Sequence, residues 1–396
     1  MTTTITRREL IALRLKPQGL AFSPLSTPLE AARRMLATQA QEFAGGCWAL
    51  GVRAPGSSQQ QVLDALAAGT VVRSYPMRGT LHFTAADDLR WMLSVTAGRM
   101  LASVEPRLAR MGLDRAALDR ARDAAVQHLA GGGALGRQEF VQAMAAAGVP
   151  TEGQLGYQVI FFLAQSGLIC WGPPHRTQQA LVLVDEWIAP TPAVDPDEAL
   201  RRFVLRYLAG HGPAQVQDFQ WWTKLTLTTA RRAFELAADE LEPLECEGET
   251  FWVVASALGS ALGSALGSQA DAAALPRRRD SAFRALPGFD EYLLGPNYRR
   301  FALPPEHNEL LFPPKTSIFL RSVVQEGRVI ASWRSVKSAR AAGEAPEITP
   351  LKPLSSRQQA GVAQAIAAHD GFLDGGAPAA ASTSPAALRA RAPRAQ

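Results

Sequence analysis

Gln39, Ala40 and Gln41, within MLATQAQEFAGG from Met35 to Gly46, set two neutral carboxamides on either side of one small residue. A carboxamide has no usable basic pKa, so neither glutamine is a general base. Its oxygen accepts from a water or faces a developing cation, and its amide group orients a neighbour. Two such dipoles can hold a water beside a substrate whose leaving group already departs readily. The spacing adds a condition. Residues two apart on an α-helix point about 200° away from each other, whereas on an extended segment they share a face. The helix that begins at Thr27 must therefore end or distort near Gln39, helped by Gly45 and Gly46, if the pair acts jointly. On a continuous helix the two would be ordinary exposed residues.

Basic residues surround this motif in the chain. Arg33 and Arg34 precede it and read either as a solvated helix face or as anchors for a phosphate backbone. Arg78 and His82 flank a turn leading into an extended run. Arg78 can reach a phosphate there, and His82 is a candidate for handling water, against the plainer reading of a structural histidine. Arg176 lies in a Pro-rich turn beside His175. Lys224, Arg231 and Arg232 fall in a later helical region, and Arg277, Arg278 and Arg279 form a cluster. Surface solubility accounts for these almost as readily as a groove for a polyanion. Trp221 and Trp222 read as core, and His211 as a turn residue. Asp290 and Glu291 are adjacent on what reads as a strand, which sends them to opposite faces and gives them a structural role.

Composition narrows the classes. The three cysteines, Cys47, Cys170 and Cys246, are too few and too far apart for a disulfide framework. The six histidines form no cluster with them, and the His-x-Glu with paired cysteines of a zinc deaminase is absent, so neither metal nor cofactor is expected. A formal charge of +5 is compatible with a polyanionic partner. The opening MTTTITRRELIALRL reads as a first helix rather than an export signal, and VIFFLAQSGLICW is too short to span a bilayer. A cytoplasmic, nucleoid-associated monomer with no membrane contact and no obligate protein partner is expected.

The elements that must position the pair follow from punctuation. Thr27, Pro28 and Glu30 mark a helix start, with Leu29, Ala32 and Leu36 on one side. A second helix covers QQVLDALAAG, and TVVRSYPMRGTLHF is rich in strand formers. Helix, helix and a two-stranded unit make a winged-helix rhythm. It recurs through LDRARDAAVQHLAGGG, GRQEFVQAMAAAG, GYQVIFFLAQSGL and the extended ICWGPPHRTQQALVLV. A third round runs from PDEALRRFVLRYLAGHG through Gln215 to Trp222 and a helix over TTARRAFELAADELEPL to a strand, TFWVVAS. The expected divisions are winged-helix domains at 1–100, 101–190 and 191–255, a low-complexity linker at 256–280 holding three SALG units, a unit at 281–375, and a disordered tail at 376–396. Within 281–375, SIFLRSVVQEGRVIASWRSV reads as a hairpin turning at Glu326 and Gly327, and SRQQAGVAQAIAAHDGFL as a last helix.

Four phrases in order, ATQAQ, RGTLH from Arg78, GHGPAQVQDFQWW from Gly210 and PGFDEYLLG from Pro287, resemble bacterial winged-helix DNA glycosylases. That group includes the enzyme that unhooks azinomycin-type interstrand crosslinks. The likeness runs from about residue 5 to 373. It implies a fold that is mainly α with small β-hairpins: tandem winged-helix domains around a concave, basic DNA-binding surface, plus a C-terminal β-rich unit. It also implies a catalytic signature of Gln, an apolar residue and Gln, which Gln39, Ala40 and Gln41 match; a related branch has Asp in the last place.

The implied reaction is hydrolysis of the bond between base and sugar C1′ at N7-alkylguanine, and the unhooking of interstrand crosslinks, in duplex DNA. The alkylated base is cationic and leaves readily, the sugar passes through an oxocarbenium-like state, and the glutamines position the water. The alternative is a DNA-binding protein or transcriptional regulator without glycosylase activity, its basic residues contacting phosphates.

Overall fold

The computed structural model describes residues 2–21, 23, 25–176, 178–256, 282–316, 318–334 and 345–375. The SALG units after Ser256, Arg277, Arg278 and Arg279, and the segment 376–396 lie outside the described residues.

The chain opens with β1 (Thr3–Thr4), α1 (Arg7–Leu15), α2 (Pro28–Met35), β2 (Thr38–Gln39), α3 (Phe43–Gly51) and α4 (Gln59–Ala67), then the hairpin β3 (Val71–Met77) and β4 (Thr80–Ala85). Next come α5 (Ala86–Arg110), α6 (Arg115–Leu129), β5 (Leu135–Gly136), α7 (Arg137–Ala146), α8 (Leu155–Gln165) and a second hairpin, β6 (Ile169–His175) and β7 (Gln178–Leu183). The third run is α9 (Val184–Trp187), α10 (Pro196–His211), α11 (Val216–Thr223), α12 (Leu227–Leu236), β8 (Leu241–Cys246) and β9 (Glu249–Val254). The last is β10 (Phe283–Leu286), α13 (Glu291–Leu294), α14 (Pro296–Ala302), β11 (Arg321–Gln325), β12 (Arg328–Arg334), β13 (Glu347–Pro350) and α15 (Ser356–Leu373). The fold is mixed α/β, mostly helical with several β-sheets, in keeping with winged-helix units.

Among the described residues the strands form sheets ordered β1-β8-β9, β10-β11-β12-β13 and β2-β4-β3-β6-β7-β5. The last of these carries both hairpins, joined where Arg73 of β3 faces Trp171 of β6. It spans the division expected near residue 100, and α5 runs unbroken through that point. The largest apolar core is likewise shared: Leu10, Trp48 and Phe83 from the N-terminal run pack in one cluster with Tyr292, Tyr298 and Phe372.

Several starts and stops follow local chemistry. The Thr27 hydroxyl accepts from the Glu30 N–H at 3.2 Å and Glu30 Oε2 accepts from the Thr27 N–H at 3.3 Å, a reciprocal cap at the start of α2. Glu326 (φ 49°) and Gly327 (φ 77°) make the β11–β12 turn. One reading is corrected, and one element is added. LEPL, expected to continue a helix, begins strand β8. The segment FAGGCWALG, for which the sequence reading assigns no element, is α3. Close approach decides there: a Cβ on Gly46 would lie 2.7 Å from the Ala40 Cβ, and one on Gly51 would lie 2.4 Å from the Phe372 ring.

Candidate active site

The helix that precedes the glutamines ends abruptly. Leu36 caps α2 at φ 62° and ψ −50°, a strained γ-turn in which the Ala37 N–H donates to the Met35 carbonyl at 2.6 Å and which costs roughly 1–3 kcal/mol. Three contacts hold it there. The Thr84 hydroxyl donates to the Leu36 carbonyl at 2.8 Å, and the His211 ring donates through Nε2 to the Met35 carbonyl at 2.9 Å. Gly210 lets α10 lie against the end of α2, since a Cβ there would meet the Arg34 carbonyl oxygen at 2.2 Å. His211 is thus a buried buttress at the last turn of α10, where the sequence reading had placed a turn residue. Burial pushes its pKa down to about 3, so it stays neutral.

From Leu36 the chain enters β2 in extended form and pairs with β4, Gln39 opposite His82. Ala40 is fully buried against Gly46 and Phe83, while Gln39 is half-buried and Gln41 exposed. A small middle residue faces the core, with Gln39 ending the strand on one side of it and Gln41 in the bend on the other. The N–H of Ala40 donates to Leu81 O at 2.7 Å, but the returning bond differs. The Ala40 carbonyl accepts from Arg73 Nε at 3.0 Å, and the Leu81 N–H donates to the Gln41 side-chain oxygen at 3.1 Å instead. Gln41 therefore stands in for a strand carbonyl where the main chain leaves the sheet. Arg73 also donates to the Gln41 carbonyl at 3.2 Å. Its guanidinium lies 5.4 Å from the Phe43 ring centre and 5.9 Å from that of Trp171. Burial lowers its pKa to about 10, which leaves it cationic at neutral pH.

Beneath Gln39 lies a buried network. Arg78, at φ 58° in the β3–β4 turn, has a side chain only 6% exposed. Its Nη2 donates to Glu291 Oε1 at 3.2 Å and to Gln39 Oε1 at 3.4 Å, and meets His82 Nε2 at 2.7 Å. Glu291, wholly buried, also accepts from the Gln39 N–H at 3.0 Å and from Trp222 Nε1 at 2.7 Å. His82 is fully buried, with Nδ1 2.8 Å from the Thr80 carbonyl. A carbonyl can only accept, so Nδ1 carries the proton and Nε2 accepts from Arg78. Burial, and secondarily Arg78, hold the His82 pKa well below the ordinary value. Both ring nitrogens are thus spoken for, and among the described residues the hydrogen bonds of the His82 ring lead to Gln39 through Arg78.

Two neighbours complete the floor. Asp290 forms a wholly buried pair with Arg53, both contacts at 2.8 Å, and caps α13 through the Tyr292 N–H at 2.9 Å. Asp290 and Glu291 therefore open a helical turn rather than lie on a strand, and Glu291 is turned toward the glutamines. Trp221 is half-buried with Arg78 at 5.7 Å and Lys224 at 5.2 Å from its ring centre.

The remaining basic candidates are not drawn into this network. Arg33 pairs with Asp87 at 2.9 Å and Arg232 with Asp197 at 3.0 Å, while Arg34 and Arg231 are exposed. Arg176, at the β6–β7 turn with φ 52°, is 78% exposed and pairs with Glu139 at 3.2 Å. Among the described residues no group of His, Cys, Asp or Glu could hold a metal ion, and no helix is long and apolar enough to cross a membrane. The sequence reading assigns Glu291 a structural role and Trp222 to the core, where it lies, without linking either to the glutamines, and does not single out Arg73. The one available signal was that FQWW and FDEY belong to the same set of phrases as the glutamine pair.

The profile of the family described as DNA glycosylase AlkZ-like matches residues 32–372. The interstrand DNA cross-link repair glycosylase of Streptomyces sahachiroi is 26% identical over 343 residues, 83% of this chain and 88% of its own. The solved structure of the Streptomyces sahachiroi DNA glycosylase AlkZ superposes with a TM-score of 0.76 at 23% identity, covering 98% of this chain and 100% of that one, and shows the same fold.

Proposed function

This chain belongs to the AlkZ-like family of DNA glycosylases, and from that premise we propose that it hydrolyses the N-glycosidic bond of N7-alkylguanine in duplex DNA and unhooks interstrand crosslinks formed at that position. The observation that carries this reading is the geometry of Gln39-Ala40-Gln41. The backbone is extended through Gln39, the last residue of edge strand β2, and bends at Gln41, so that the two carboxamides flank a buried alanine. Each carboxamide oxygen accepts one protein hydrogen bond and keeps a second lone pair for a water. The pair orients the water toward C1′ and sets dipoles against the positive charge that grows on the sugar. No strong acid is needed, because the cationic base already leaves well.

In this reading three winged-helix units and the C-terminal β-rich unit bound a concave surface for duplex DNA. Lys224, beside Trp221 and Arg78, contacts phosphate near the lesion. Arg33, Arg34, Arg176, Arg231 and Arg232 anchor the backbone farther out. His82 acts through Arg78.

The test incubates the protein with duplexes carrying N7-methylguanine or a defined N7-guanine crosslink, followed by heat or alkali to reveal abasic sites. Wild type excises, and Gln39→Ala and Gln41→Ala each lose about 2–4 kcal/mol of barrier lowering. Folded wild-type protein that binds DNA yet leaves both lesions intact would establish a binding protein instead.

A further inference from the structure

The carboxylate of Glu291 ties together groups that stand far apart in the chain. One oxygen accepts from the Gln39 N–H and from Arg78, and the other accepts from the Trp222 indole. Arg78 in turn donates to the Gln39 side-chain oxygen. A single buried ion pair therefore grips Gln39 at its main chain and at its side chain. Arg78 and the Leu81 N–H can only donate, so each engages a carboxamide oxygen and leaves that oxygen's second lone pair for a water. Arg78 Nη1 is buried and makes no hydrogen bond among the described residues, so Nη2 is its one hydrogen-bonding link into the site.

Charge gives a second reason for the carboxylate. Positive charge grows on the sugar during excision, and an uncompensated guanidinium beneath Gln39 would oppose it. The Glu291 carboxylate offsets that charge at the point where Arg78 meets the glutamine.

We propose that Glu291 is a positioning residue for base excision, acting through Arg78 to fix the orientation of Gln39 and through its own charge to neutralise the floor of the site. This rests on the glycosylase reading of the glutamine pair. The site belongs to the turn of α13, whose other acidic residue, Asp290, is committed to Arg53.

The experiment is a double-mutant cycle in single-turnover excision of N7-methylguanine from duplex DNA, using the full chain. Glu291→Gln keeps the shape of the side chain and removes its charge. Its excision rate constant falls about 10- to 100-fold, as misplacement of a reacting group does, while the dissociation constant for the lesion duplex stays within about twofold. In a Gln39→Ala background the same substitution costs markedly less, because the residue it positions is already gone and only the charge contribution remains. An equal loss in both backgrounds would reduce Glu291 to a general structural role and overturn the proposal, as would a wild-type rate for Glu291→Gln. Should Glu291→Gln fail to fold, Trp222→Phe frees one carboxylate oxygen and keeps the ring. Its several-fold loss must vanish in the Gln39→Ala background, and persistence there overturns the proposal. A wild-type protein that excises nothing overturns the glycosylase reading together with this one, whereas failure of this proposal alone leaves the wild type active.

Discussion

The two hairpins of the six-stranded sheet use one backbone device for opposite ends. Each turns on an arginine in the left-handed region, Arg78 at φ 58° and Arg176 at φ 52°, and each sets that arginine beside a histidine and a glutamate. In β3–β4 the arginine folds inward, 6% exposed, onto a wholly buried Glu291 supplied by α13. In β6–β7 it points outward, 78% exposed, onto Glu139 at the start of α7. What separates a site from a wing tip is thus not the turn. It is whether a distant element arrives to cover it and makes every polar partner obligatory.

The comparison is sharpest when both turns receive the same substitution. Arg78→Gly suits the turn backbone yet strands a buried carboxylate, and it costs about 3–5 kcal/mol in denaturant melts. Arg176→Gly removes an exposed group and trades left-handed strain for glycine entropy, so stability stays within about 0.5 kcal/mol. Equal losses at the two turns would erase the distinction.

Acid provides the next test. His82 and His211 are held neutral by burial, whereas in the unfolded chain each titrates near pH 6.5. Above that pH neither state binds the proton. Below it the unfolded chain takes up protons that the folded chain refuses, so stability falls with falling pH by about 1.4 kcal/mol per unit for each histidine. Melts at pH 7.5, 6.5 and 5.5 read this slope, and His82→Gln reduces it by one histidine's share. A flat profile would mean that the ring is not held neutral beneath Gln39.

The smallest effect is read in salt. If the outward arginine meets a phosphate, Arg176→Ala lowers the slope of log affinity against log salt by about one and weakens binding evenly across sequences. Arg78→Met, its guanidinium already committed inside, leaves that slope alone.

How much of this was legible in the sequence differs along the same line. The start of α2, the Glu326-Gly327 turn and α15 were readable because their caps and turn residues are local signals. The need for an extended backbone at Gln39 was readable from the spacing of the pair. The burial of Arg78 was not, since it depends on a carboxylate 213 residues away, and the Gln39 N–H is satisfied by the same group 252 residues away. Helix α3 was hidden for a related reason: its glycines argue against a helix locally and earn their place only through contact with Ala40 and Phe372.

One feature of β2 bears on how the molecule behaves in a crowded solution. It is a terminal strand of its sheet, and such edges invite other chains to add on through their free N–H and carbonyl groups. Here the strand is two residues long, its Gln39 N–H is taken by Glu291, and the carbonyl of Ala40 is taken by Arg73. The groups that prepare the glutamines for a lesion also leave this edge with little to offer a neighbouring chain, so it resists edge-to-edge association.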